Sequence, residues 1–323
     1  MSTPAPTAPA TPPRAATVLV LRAAAPAASP ADEVGEVAEA ADAGAVEVLL
    51  VRRSHRASFM ANAFVFPGGR VDAADAVGEP AEPGAAADPL SPPLYPARRA
   101  AARELAEEVG LRVGDLGQLV RFAHWITPSA EPKRFDTEFF LWSLPSPRPA
   151  GTVPGAGPAD PSDPAPLEPT VQVDGREVFD PLWITPAAAL DRYAQGTLNL
   201  PPPTVCTLED LAAEIAAARS TPVAATAAAS AGPSAALLSA LMTRCAARQP
   251  LPVLPKFFAN DAGELAIVMP WDPQYPELPG EGQPFPALAR GAARVPRRIR
   301  RCQLRLEGAA APLVPWTVER ADF

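Results

Sequence analysis

Apolar positions along the chain fall into short runs set apart by long stretches of alanine, proline and acid. ATVLVLR (16–22) and AVEVLLVRR (45–53) are rich in β-branched residues and leucine, and they predict two strands. The residues between them, near 23–44, predict a surface insertion within a hairpin. AFVFPGG (63–69) predicts a third short strand that breaks into a glycine turn, and residues 76–95 carry the punctuation of a loop. A helix follows. Pro96 is expected as its first residue, where a preset φ helps and the missing N–H costs nothing. Gly110 is expected as its left-handed stop.

Strands are expected next at LVRFAHWITP (119–128) and RFDTEFFLWSL (134–144). In the second, Phe135, Thr137, Phe139 and Leu141 alternate with Asp136, Glu138 and Phe140, an imperfect period of two. Residues 145–170 form another proline-rich insertion. EVFDPLWITPAAALDRYAQG (177–196) reads as strand, proline, helix, and 207–218 and 234–247 are helical by composition. PKFFANDAGELAIVMP (255–270) reads as a hairpin turning at NDAG. This order predicts a mixed α/β layered domain over 16–218, after a disordered tail at 1–15. Residues 219–323 are a C-terminal extension that could cover the site, form a dimer or finish the core.

Composition narrows the function classes. The 44 prolines, about three times ordinary usage, place much of the 323-residue length in connections. A net charge of −8 gives no electrostatic case for nucleic acid or an anionic membrane. The seven arginines at 290–305 read as a solvated strand, since no aromatic residues interleave them as single-stranded nucleic acid would require. No apolar run reaches membrane-spanning length, and the N-terminal residues lack the pattern of a secretory signal. Cys206, Cys245 and Cys302 match no zinc or CxxC spacing and read as reduced thiols of a cytoplasmic protein. With only His55 and His124, both read as strand residues, a histidine metal cage or a catalytic triad lacks its parts. Trp125 and Trp142 suit a core or a base-stacking wall equally.

The candidate chemistry lies in ARELAEEVGL (102–111). Residues three and four apart share a helix face, so Glu104 lies beside Glu107 and Glu108, at a small repulsive cost. A divalent cation reverses that cost, because hard cations take carboxylate oxygens. The alternative is a solvated helix carrying an Arg103–Glu107 pair. Upstream, FPGGRVDAAD puts Gly68 and Gly69 at a strand end, where bare backbone can approach a ligand.

Together these residues resemble the Nudix hydrolases, whose box reads G-x5-E-x7-R-E-U-x-E-E-x-G-U, with U aliphatic. The second half is complete at 103–111. In the first half, counted from Gly69, Asp75 stands where the family has Glu, and 27 residues rather than 7 separate it from Arg103. Closing a longer loop costs only about 0.6 kcal/mol per doubling, so the turn and the helix are still expected to meet.

The resemblance implies an α/β/α sandwich and a metal-dependent hydrolase of nucleoside diphosphate conjugates. It implies that Glu104, Glu107 and Glu108 hold Mg²⁺ or Mn²⁺ with the Gly68 carbonyl, that Arg103 orients them, and that Asp75 is structural. Glu104 or Glu108 would serve as base. Glu177 would supply one more acidic ligand, with Asp136 as its rival.

LLVRRSHRASFMANAFVFPGG (49–69) resembles the coenzyme A-directed branch at Leu49, Leu50, Arg53, Ser54 and Phe66–Gly69, while that branch's internal His and Gly fall on Met60 and Asn62. WITPSAEPKRFDTEFFL and PPPT (201–204) resemble the peroxisomal coenzyme A diphosphatases. Coenzyme A or an acyl-CoA is the substrate this implies, with Arg53, Arg134 and Gly69 against its phosphates. The partner is then a small nucleotide conjugate, with neither nucleic acid nor membrane, and a homodimer is left open. A turnover-deficient Nudix-fold binding or regulatory module, or a hydrolase of ADP-ribose, NADH or dinucleotide polyphosphates, are the rival readings.

Overall fold

The computed structural model describes residues 11–24, 45–57, 60–77, 94–129, 131–144, 170–221, 233–259, 265–270, 299–304 and 317–319. The central parts of the three expected insertions, the NDAG turn, most of the 1–15 tail and the first arginines of 290–305 lie outside these residues. The core of the sheet is β1 (Arg14–Ala23), β2 (Val46–Arg53), β5 (Val120–Ile126) and β6 (Asp136–Ser143). Shorter strands β3 (Phe64–Val65), β4 (Gly68–Arg70), β7 (Val178–Ile184) and β8 (Pro252–Val253) join it. Its order is β3–β2–β1–β6–β5–β8, with β4 paired to β1 and β7 to β2. β1 runs parallel to β6, and β5 parallel to β8, while the other pairs are antiparallel. The sheet is therefore mixed.

Both faces of the sheet are covered, which explains why the strands read as near-continuous apolar runs and why the period in 135–141 is imperfect. Along β1, Ala16, Val18 and Val20 face one way, and Leu19 and Leu21 the other. The first set packs with Phe140 and Trp142 against α1 (Leu94–Val109). The second packs with Phe122, Trp125, Phe139 and Leu141 against α2 (Pro186–Ala194), α3 (Pro202–Arg219) and α4 (Pro233–Ala246). The result is an α/β/α sandwich. Trp125 and Trp142 are both core residues, on opposite faces. Each fully buried leucine of these layers is worth about 1.5–3 kcal/mol.

Several expectations shift. α1 begins at Leu94, so Pro96 lies inside its first turn; the first four N–H groups of a helix have no internal partner, so proline is tolerated there too. Gly110 does end the helix, at φ +73°. The glycine pair lies in strand β4 beside β1, rather than in a turn. α3 starts at Pro202, five residues before the expected helix, and the PPPT motif spans its start. β1 begins at Arg14, inside the expected tail.

The domain does not end at 218. α4 puts Leu237, Leu238, Leu241 and Cys245 into the same core, and β8 extends the sheet at β5. The first part of the expected extension therefore finishes the core. Beyond it, β9 (Lys256–Ala259), β10 (Leu265–Val268), β11 (Ile299–Leu304) and β12 (Thr317–Glu319) form a second, antiparallel sheet. The expected 255–270 hairpin is β9 and β10. Among the described residues no helix is long and apolar enough to cross a membrane.

Candidate active site

α1 is amphipathic by small residues. Ala97, Ala100, Ala101, Leu105 and Val109 line the face against the sheet, and alanine lets the helix lie close. Glu108 falls on that same face and is 6% exposed. It is held by the Gly68 N–H, which donates to Glu108 Oε2 at 2.8 Å. Glu104, one turn earlier, lies over Gly69, where an added Cβ would stand 2.4 Å from its carboxyl carbon. Gly69 thus leaves the space that Glu104 fills, while Gly68 holds Glu108 through its backbone N–H. Glu107 departs from the expected trio. Its side chain is 59% exposed and turns toward Arg103, so only Glu104 and Glu108 face the glycine strand.

Arg103 joins the two halves of the site. Its Nη1 lies 2.9 Å from Glu104 and 3.3 Å from Glu107, and its Nη2 lies 3.0 Å from Asp75 and 2.9 Å from the Arg70 carbonyl. Asp75 is 3% exposed and also accepts the Asp72 N–H at 2.8 Å. Burial alone would raise the Asp75 pKa, but the Arg103 and Asp72 bonds outweigh it and leave the acid below its ordinary value. Chiefly through Asp75, Arg103 is held firmly protonated. An aspartate therefore anchors Arg103 across the inserted residues.

The two acids that α1 sets against the glycine strand shift the opposite way to Asp75. Burial raises Glu104, against the pull of Arg103, and the charges of Glu107 and Glu177 add to the rise. Burial pushes Glu108 to about 8; the Gly68 N–H and Arg53 lower it, while Glu104 and Glu177 raise it. Glu177 thus acts on both acids and Arg53 on Glu108, and the chain path explains why. The Gln172 and Asp174 N–H groups cap the Val109 and Glu108 carbonyls at 3.0 and 2.9 Å, docking the segment before β7 on the end of α1. Arg53 pairs with Val178 across β2 and β7, and the Ser54 N–H donates to the Glu177 carbonyl at 2.9 Å. The Glu177 side chain lies on an exposed residue at this junction. Asp174 pins the loop by accepting the N–H groups of Arg176, Glu177 and Val178.

No family model and no curated protein matches this chain. Among solved structures it is similar to a NUDIX hydrolase from Alicyclobacillus acidocaldarius, with 24% identity, 62% of this chain and 91% of that one covered, and a TM-score of 0.41. It is also similar to the NUDIX domain of Shewanella oneidensis NrtR complexed with ADP ribose, with 13% identity, 66% and 94% covered, and a TM-score of 0.38. An Ap4A hydrolase from C. elegans, in a binary complex, gives 18% identity, 63% and 99% covered, and a TM-score of 0.31. Scores this low decide nothing about chemistry, which the residues of the site have to carry.

Arg134, expected at the substrate, lies in the β5–β6 turn, where it donates to the Thr127 carbonyl at 3.1 Å. Asp136, the rival fourth acid, bonds His124 Nε2. His124 belongs to a buried network that sequence reasoning missed. Arg121 grips Glu138 with two bonds, at 2.7 and 2.8 Å, and lies 3.2 Å from His124 Nδ1. An arginine can only donate, so Nδ1 accepts and the proton sits on Nε2, toward Asp136. The charged pattern of RFAHW and RFDTEFF was the available signal. His55 lies in the turn after β2 rather than in a strand. In the same turn Asn62 adopts φ +60°, a left-handed conformation that asparagine tolerates, and Met60 shares it at φ +51°.

Among the described residues no three His, Cys, Asp or Glu side chains converge as a ready metal cage. The donor set nevertheless fits a hard cation that keeps its waters. Mg²⁺ commonly takes only one or two carboxylates, with substrate phosphates completing the shell. Glu108 is buried and Glu104 half-buried, and the ionisation of both is disfavoured until positive charge arrives.

Proposed function

We propose that this protein is a metal-dependent hydrolase that cleaves the diphosphate linkage of a nucleoside diphosphate conjugate. The observation that carries this is the Glu104–Glu108 pair set against Gly68 and Gly69, with the Glu177 charge acting on both acids and that of Arg53 on Glu108. Mg²⁺ or Mn²⁺ would be held by Glu104, Glu107 and Glu108, with the Gly68 carbonyl and Glu177 as further oxygens. Bound there, the cation supplies Lewis acidity toward the diphosphate and the attacking water.

The chain's own residues do the rest. Arg103 restrains the Glu104 carboxylate through Oε1 at 2.9 Å. Arg53 offers a guanidinium to a phosphate, the geometry for which arginine is suited. The bare backbone of Gly69 lets the diphosphate approach. Water attacks one phosphorus, the bridging P–O bond breaks with its electrons going to the leaving phosphate, and Glu104 or Glu108 takes the proton lost by water.

Coenzyme A or an acyl-CoA is the substrate this reading favours. Its support is the pattern at Leu49, Leu50, Arg53, Ser54 and Phe66–Gly69, together with the Arg53 charge that acts on Glu108. The test is a hydrolysis screen of the purified protein with Mg²⁺ or Mn²⁺ against coenzyme A, acetyl-CoA, ADP-ribose, NADH and diadenosine polyphosphates. Release of phosphopantetheine and adenosine 3′,5′-bisphosphate from coenzyme A supports the full reading. Cleavage of another conjugate keeps the mechanism and removes the substrate. No turnover with either cation favours a binding module.

A further inference from the structure

Thr17 is the polar residue in the otherwise apolar core of β1, and it is 8% exposed. A buried hydroxyl in such a row is costly unless bonded, and valine would fill the same space and suit a strand at least as well. The hydroxyl lies 2.6 Å from the Pro67 carbonyl and 3.1 Å from the Phe66 carbonyl. It has one hydrogen to give, so Pro67 takes the principal bond. The same carbonyl accepts the Val18 N–H at 2.9 Å.

The Pro67–Gly68 peptide is planar and trans, so its C=O and N–H point in opposite directions. Its N–H is the group that donates to Glu108 at 2.8 Å. Whatever fixes the carbonyl end fixes the direction of the amide at the other end. Thr17 reaches that carbonyl because Gly68 lets the strands close: a Cβ there would stand 2.5 Å from Thr17 Cα and 2.3 Å from the Ala16 carbonyl oxygen. Gly68 also sits at φ +152°, so the geometry belongs to glycine.

We infer that Thr17 is a positioning residue for the site. Its hydroxyl clamps the Pro67–Gly68 peptide so that the Gly68 amide holds the Glu108 carboxylate in place. Thr17 touches neither substrate nor cation. The inference rests on the hydrolase reading only in taking Glu108 as the acid that serves the reaction.

The experiment compares wild type, Thr17→Val and Thr17→Ser in the full chain. Hydrogen exchange of the Gly68 amide is read by NMR, Mg²⁺ and Mn²⁺ affinity by calorimetry, and kcat and KM on whichever conjugate the screen identifies. Thr17→Val is expected to speed exchange at Gly68 relative to other strand amides. It should weaken cation binding by about tenfold, the worth of one hydrogen bond, and lower kcat with KM little changed. Thr17→Ser is expected to behave as wild type. Wild-type exchange at Gly68 in Thr17→Val overturns the clamp, even if the melting temperature falls. Should Thr17→Val not fold, Thr17→Ala carries the same comparison. If wild type binds neither cation, the hydrolase reading fails, and the Gly68 amide still decides the clamp.

Discussion

The Gly68 amide donates to the Glu108 carboxylate at 2.8 Å, and that single bond joins β4 to the last turn of α1 across the insertion. It is the point where a glycine strand and an acidic helix, distant in sequence, become one site. Glu108→Gln keeps the shape and can still accept from Gly68, while it removes the charge. Turnover is expected to fall on the order of 10²–10⁴-fold, the worth of a lost catalytic carboxylate, with the fold intact by circular dichroism.

The same acid gives the metal-free protein a pH dependence. Its pKa in the folded chain is about 8 against an ordinary 4.5, so the folded state keeps a proton that the unfolded state releases. That contribution to stability is fully present below about 4.5 and is lost as pH rises through about 8. Glu104, also raised, acts in the same direction. Melting temperatures without divalent cations are expected to decline over this window, and less steeply in Glu108→Gln. Added Mg²⁺ should stabilise more at the alkaline end, where the acid is already ionised. A cation effect that shrinks with rising pH would speak against this.

The two glycines are expected to fail differently. A Cβ on Gly69 would meet the end of the Glu104 side chain, which can swing away. Gly69→Ala should therefore fold but displace Glu104, losing activity out of proportion to stability. A Cβ on Gly68 would meet the Ala16 carbonyl at 2.3 Å, which cannot move without parting β1 from β4. Gly68→Ala is expected to cost about 1–3 kcal/mol or more, a strained-backbone effect, measurable by urea unfolding.

The Arg121–Glu138 pair tests whether the buried network is structural. Glu138 is 1% exposed, and removing it leaves the largely covered Arg121 guanidinium, 12% exposed, without its carboxylate. Glu138→Ala is expected to cost about 3–5 kcal/mol, as breaking a buried ion pair does. Cation affinity should be unchanged in the protein that remains folded.

Much of this was legible in the sequence because it depends on local pattern. The helix at 94–109 and its Gly110 stop are set by spacing within one element, whereas Trp125 and Trp142, open in the sequence between a core and a stacking wall, are decided by packing on the two faces of the sheet. What was hidden depends on pairing between distant segments. Nothing near Thr17 shows that its hydroxyl will face the Pro67 carbonyl, because that follows from the β1–β4 register. The i,i+4 spacing offered an Arg103–Glu107 pair as the alternative to a metal-bound trio, and that pair forms, while nothing local distinguished it from the trio. The expected boundary at 218 missed a continuing core, since the leucines of α4 show their partner only against the sheet. His124 and Glu138 looked like ordinary strand residues because ion pairs across β5 and β6 leave no periodic trace.

The central claim is that the Glu104–Glu108 pair holds the cation that drives cleavage, and it is tested most directly by Mn²⁺ titration followed by electron paramagnetic resonance. Wild type should show saturable binding that Glu108→Gln weakens severely, whatever the substrate proves to be. Equal Mn²⁺ binding in the two proteins would contradict it.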